Sequence, residues 1–74
     1  MGRIRNKIAI RNIALTIKEI RKEKGMTQDD FLYDDGIHIG RIEMGITDIS
    51  CSTLISICDK FGITPAEFFM KMKK

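Results

Sequence analysis

The apolar residues of the chain recur at helical intervals, and no stretch alternates residue by residue as a half-buried strand would. Near the N-terminus Ile10, Ile13, Ile17 and Ile20 fall at 3-4-3 spacing, one stripe of an amphipathic helix. The stripe predicts a helix over residues 12–24 with an extension back to residue 7, leaving Ile4, Ile8 and Leu15 partly off it. Isoleucine is only a middling helix former, so residues 1–9 read as either a helical extension or an extended arm. Gly25 ends this helix, and Arg21, Lys22 and Lys24 in its last turn suit the negative end of the helix dipole.

The stretch from Thr27 to Gly45 reads as two short helices joined by a tight turn. Thr27 and Asp30 form a capping box in which Asp replaces the usual Glu or Gln, and Phe31 anchors the helix that follows. Asp34, Asp35 and Gly36 supply turn and N-cap chemistry, Ile39 and Ile42 face inward, and Gly45 is placed to terminate. The second helix of the pair is thus expected over about residues 35–44. Helices this short do not stand alone, because nucleation costs more than one or two turns return. Their neighbours must hold them at a fixed angle.

Residues 46–49 read as a loop. Ser50 then caps a helix that buries Leu54, Ile57, Cys58 and Phe61 and closes at Gly62. Thr64-Pro65-Ala66-Glu67 combines an N-cap Thr, Pro at the first helical position and Glu two residues further on, a full capping box. Ile63 and Phe68 form a hydrophobic staple around it, and Phe69 and Met72 continue the apolar face. The fold class is therefore all-α: five helices in a single domain over residues 1–74, ending in a basic tail over 70–74.

Composition narrows the function. No apolar run approaches the roughly 18 residues that span a bilayer, and the start has no uninterrupted apolar segment of a secretory signal. A cytoplasmic protein with no membrane partner is expected. Cys51 and Cys58 lie seven apart on one helix, about 10 Å between Cα atoms and too far to bridge each other. Both read as reduced packing thiols, and a single His leaves too few ligands for zinc. No metal, cofactor or small-molecule ligand is expected. An enzyme has no support either, for there is no Ser-His-Asp set and no phosphate loop.

The net charge of +3 hides a strong segregation. Residues 1–24 carry eight Lys and Arg against two Glu, a net +6. Residues 25–58 carry Arg41 alone against six acids, a net −5, and residues 59–74 return to +2. The chain is basic at both ends and acidic in the middle.

Four segments in order resemble the Cro and lambda-repressor type (XRE family) of helix-turn-helix DNA-binding domain. They are Ile17-Lys18-Glu19-Ile20-Arg21-Lys22-Glu23-Lys24-Gly25-Met26-Thr27-Gln28, then Ile39-Gly40-Arg41-Ile42-Glu43-Met44-Gly45, then residues 50–62, then Ile63-Thr64-Pro65-Ala66-Glu67-Phe68-Phe69. The resemblance covers roughly residues 13–69 and implies a five-helix lambda-repressor-like domain. The interval from Thr27 to Gly45 is shorter than the family's usual spacing, a shortened helix-turn-helix, and Leu32 stands where the family has a small Ala.

By this resemblance the helix over 35–44 enters the major groove of double-stranded DNA, with Ile37, Gly40, Arg41 and Met44 turned outward to read base edges. Arg41 is the long donor of this set, suited to guanine O6 and N7, or else to a phosphate or a neighbouring Asp. Ile37 and Met44 suit a thymine methyl, or are plain surface residues. Gln28 matches a position that contacts a backbone phosphate and steadies the reading helix, and Thr27 with the N–H groups around it forms an anion site; both otherwise serve as ordinary cap residues. His38 falls near a phosphate in the family; packing on Ile42 is its structural alternative. The resemblance further implies a semi-buried ion pair between Arg21 and Glu43, which fixes the angle of the reading helix.

Phosphate neutralisation has to come from outside the acidic centre, from Arg3, Arg5, Lys7 and Arg11. Asp34 and Asp35 at the mouth of the reading helix would repel phosphate. A homodimer, with apolar surface near Phe68, Phe69 and Met70 as its interface, would place two half-sites about one helical turn apart. The leading expectation is a sequence-specific transcriptional regulator, a repressor. The alternative is a protein–protein interaction module that uses its acidic face and binds no DNA.

Overall fold

The computed structural model describes residues 4–72. Five helices and no strand occur among them, an all-α architecture: α1 (Lys7–Glu23), α2 (Gln28–Asp35), α3 (Ile39–Glu43), α4 (Cys51–Phe61) and α5 (Pro65–Lys71). Asn6 opens α1 by accepting a hydrogen bond from the Ala9 N–H at 2.9 Å, a cap that the apolar pattern did not reveal. Residues 4–6 precede the helix, which begins at Lys7; residues 1–3 of the possible arm and 73–74 of the basic tail lie outside the described residues. On α1 the buried stripe is Ile10, Ala14, Ile17 and Ile20, with Ile13 packed partly against the core, while Ile4, Ile8 and Leu15 face solvent.

Glycine ends α1 for a conformational reason. Gly25 adopts φ +67°, where a Cβ is strained, and this lets its N–H reach the Lys22 carbonyl while the Met26 N–H reaches that of Arg21. The reversal delivers the chain to Thr27. There the Thr27 hydroxyl accepts from the Asp30 N–H and the Asp30 carboxylate accepts from the Thr27 N–H at 2.8 Å, the expected capping box. Phe31, fully buried, sits edge-on to Phe61 of α4 with ring centroids 5.4 Å apart.

The boundary between α2 and α3 differs from the sequence expectation. Asp34 and Asp35 form the last turn of α2, and Gly36, in the left-handed region, closes that helix instead of opening the next. The helix expected over 35–44 is therefore the five-residue α3, entered from His38 with no side-chain cap. Polar turn residues serve equally at the end of one helix and the start of another, and their spacing alone does not separate the two.

Ser50 caps α4 by accepting from the Thr53 N–H at 3.1 Å, and Leu54, Ile57, Cys58 and Phe61 are buried. Cys51, expected to pack, is exposed in the first turn. Thr64 and Glu67 complete the second capping box, Ile63 packs on the core and Phe68 is fully buried. Phe68, expected near a homodimer interface, is instead packed in the core, while Phe69, edge-on to it, is about half exposed and Met70 faces solvent. One core thus joins Ile17 and Ile20, Phe31, Ile39 and Ile42, Ile57 and Phe61, and Phe68, drawing on all five helices. Each such side chain contributes about 1.5–3 kcal/mol by burial, which is what holds the short α2 and α3 in place.

Candidate nucleic-acid interface

α3 is about 7.5 Å long at 1.5 Å per residue. Its inner face is Ile39 and Ile42, both buried three residues apart. The outer face carries Arg41, exposed, with Met44 following at 68% exposure. No hydrogen bond or ion pair among the described residues engages the Arg41 guanidinium. Of its alternatives, pairing with a neighbouring Asp is not what the structure shows.

One side chain from each of three helices locks α3 in orientation. Arg21 of α1 donates through Nε to Glu43 Oε2 at 2.6 Å and through Nη2 to Oε1 at 3.1 Å. Its Nη1 donates to the Met26 carbonyl at 2.9 Å, and Gln28 Nε2 of α2 donates to Glu43 Oε1 at 3.1 Å. The ion pair is nearly dry, with the two side chains 11% and 4% exposed. Hydrogen bonding to Glu43 raises the Arg21 pKa against the opposing pull of burial, so the guanidinium stays charged at any pH the fold tolerates. Two parallel N–H donors on one carboxylate fix direction as well as distance.

Gln28 thus holds α3 in place, as the resemblance implied, through an amide nitrogen committed to Glu43. Gly40 explains how α2 and α3 come close: a Cβ there would sit 3.1 Å from Gln28 Oε1. The close approach falls at Gly40, and Leu32 lies at the edge with 39% of its surface exposed. Ile37 departs from the outward orientation expected of it: half-buried, it packs against the core, and its N–H reaches back to the Phe31 carbonyl. The same shift of the helix start that moved Asp34 and Asp35 into α2 turned Ile37 inward. His38 is exposed at the entrance to α3.

Gln28, Asp29, Leu32, Ile37, His38 and Arg41 together line a shallow groove between α2 and α3. Thr27 stands one residue before it, exposed; its capping box already occupies the Thr27 and Asp30 N–H groups, so fewer donors are available to a phosphate than the sequence suggested. Arg5, Lys7 and Arg11 line a second groove with Gly45 and Ile46, the turn directly after α3. A Cβ on Gly45, which is at φ +78°, would lie 3.7 Å from the Arg11 Cα, so α1 lies against the turn that ends α3. Arg5 adds a hydrogen bond from its Nη2 to the Ile46 carbonyl, a contact with no signal in the sequence.

The acidic pair at the end of α2 does not stand uncompensated at the mouth of α3. Lys60 of α4 reaches Asp34 at 2.6 Å and Asp35 at 3.3 Å, and its ammonium lies 5.6 Å from the Phe31 ring centroid. The hydrogen bond to Asp34, then that to Asp35, raises the Lys60 pKa against desolvation. Two carboxylates at a helix C-terminus oppose its dipole, and Lys60 offsets both.

Among the described residues no cluster of three or more His, Cys, Asp or Glu forms a metal site, and no helix is long and apolar enough to cross a membrane. Compared with protein-family models and with curated proteins, the chain matches none.

Proposed function

We propose that this chain is a DNA-binding transcriptional regulator, a repressor, built on a helix-turn-helix of the Cro and lambda-repressor type with α3 as its reading helix. The observation that supports this most is the exposed, unengaged Arg41 on a helix whose opposite face is buried and whose end is clamped by Arg21, Gln28 and Glu43. A planar donor on a rigid support suits guanine O6 and N7, discrimination of about 1–3 kcal/mol. Met44 suits a thymine methyl. Lys7 and Arg11, beside the turn that ends α3, suit the flanking phosphates, as do Thr27 and His38 on the other side. A five-residue helix reads few bases, so two copies brought together by the duplex on adjacent half-sites supply the rest of the specificity.

Duplexes selected from a random library test this by fluorescence anisotropy across a salt series. Arg41→Ala is expected to cut the preference for the selected duplex by about 5- to 150-fold, corresponding to 1–3 kcal/mol, and to leave the salt slope nearly unchanged. Replacing Lys7 and Arg11 together with Ala is expected to weaken all duplexes alike and to lower that slope by about 2. Absence of binding even at low salt contradicts the proposal. It would favour the second reading, a protein-interaction module, for which α2 offers four Asp, no Lys or Arg, and Tyr33 at 83% exposure.

A further inference from the structure

On α1, Ile8, Arg11, Leu15, Lys18 and Lys22 recur at steps of three and four, one stripe on the side away from the core, and all five are exposed. Ile8 and Leu15 are 72% and 52% exposed, two large aliphatic residues set among cations. No ion pair among the described residues engages Lys7, Arg11, Lys18 or Lys22. The outward face of α2 is the counterpart in miniature: Asp29 and Tyr33 at its centre, four apart, flanked by Asp30 and Leu32, all exposed and with no cation on the helix. Each face has exposed apolar residues and a charged rim, and the rims are of opposite sign. Both point to solvent from the same molecule, so one copy does not satisfy the match within itself.

We propose that copies of this chain associate head to tail, the outward face of α2 in one copy lying on the outward face of α1 in the next. The occupant of the basic stripe is thus a second copy, chosen by charge complementarity and by the apolar residues set within each charged face. The contact is heterologous, so each added copy leaves one α1 face and one α2 face open. α2 is about 12 Å long, which limits the contact to well below the roughly 1,200–2,000 Å² of a stable complex. The association is accordingly weak, sensitive to salt, and greatest where copies are crowded. It does not rest on the DNA reading, and its test contains no duplex.

Sedimentation equilibrium over a concentration series reads it directly. At about 10 mM salt, where screening sets in only beyond about 30 Å, the weight-average mass is expected to rise with concentration, and at about 1 M salt to return to that of the monomer. Two variants, each checked for helicity by circular dichroism, carry the geometry: Lys18→Glu with Lys22→Glu on α1, and Asp29→Lys with Tyr33→Lys on α2. Each alone is expected to stay monomeric, because one half of its contact is reversed. An equimolar mixture offers a wild-type α2 to a wild-type α1 and, at the reversed pair, an acidic α1 to a basic α2, so its mass is expected to rise above that of the monomer. A wild-type protein that stays monomeric at low salt overturns the proposal, including one that instead binds anionic vesicles through the stripe. So does association that either variant retains, or a mixture that stays monomeric.

Discussion

Arg21 meets Glu43 with two nitrogens inside a nearly closed site, and this geometry decides how the pair responds to substitution. Removing one partner leaves a buried charge without compensation, a loss of about 3–5 kcal/mol, whereas removing both leaves an apolar site with little penalty. Urea unfolding of Arg21→Met, Glu43→Met and the double variant is expected to show the double variant more stable than either single one. Gln28 is coupled to the same carboxylate. At this scale the sequence was partly legible. The Arg21–Glu43 contact and a steadying part for Gln28 followed from the resemblance, while the Arg5–Ile46 contact depends on how segments distant in sequence are set against one another. The two cysteines separate for a similar reason: both fall on α4, but only Cys58 reaches the core. Burial, and then the nearby Asp59, pushes the Cys58 thiol up, so a thiol reagent is expected to label Cys51 promptly and Cys58 only on unfolding. Equal rates for the two in the folded protein would contradict the packing described for α4.

Helix starts were legible where a side chain does the capping. Thr27, Ser50 and Thr64 each hold the N–H expected of them, because the cap depends on residues three apart and on nothing distant. The start of α3 has no such cap, and there the expected range of 35–44 contracted to Ile39–Glu43. As a result Ile37 packs against the core, and of the residues expected to face outward as long side chains Arg41 and Met44 remain exposed. The capping box of α5 also titrates. The Thr64 backbone N–H, and then its side chain, lower the Glu67 pKa below the ordinary glutamate value. A group depressed on folding contributes fully above its unfolded pKa, about 4.3, and loses that contribution as pH falls through the folded value. Thermal unfolding from pH 6 down to pH 2 is therefore expected to show a smaller acid-side loss of stability for Glu67→Gln, whose amide still accepts from Thr64 but takes up no proton in this range. An unchanged acid limb would remove Glu67 from the account.

Over the whole molecule, charge is arranged by face as well as along the chain. The basic start of α1 lies at the turn that ends α3, the central acids lie mainly on α2, and Lys60 covers the two nearest the entrance to α3. The segregation was visible in the sequence; which face each block occupies was not, because that depends on the packing of α1 and α2 around α3. All-α architecture with five helices was legible from periodicity and caps, both of which are local. The account depends above all on one surface holding Arg41 together with Lys7 and Arg11. A heteronuclear NMR titration of the labelled protein with a selected duplex tests it most directly. Shifts are expected to concentrate at Lys7, Arg11, His38, Arg41 and residues 44–46, with Tyr33 and α5 unmoved at the dilute protein concentration used. Shifts centred on Tyr33, or an unperturbed Arg41 in a saturated complex, would contradict it.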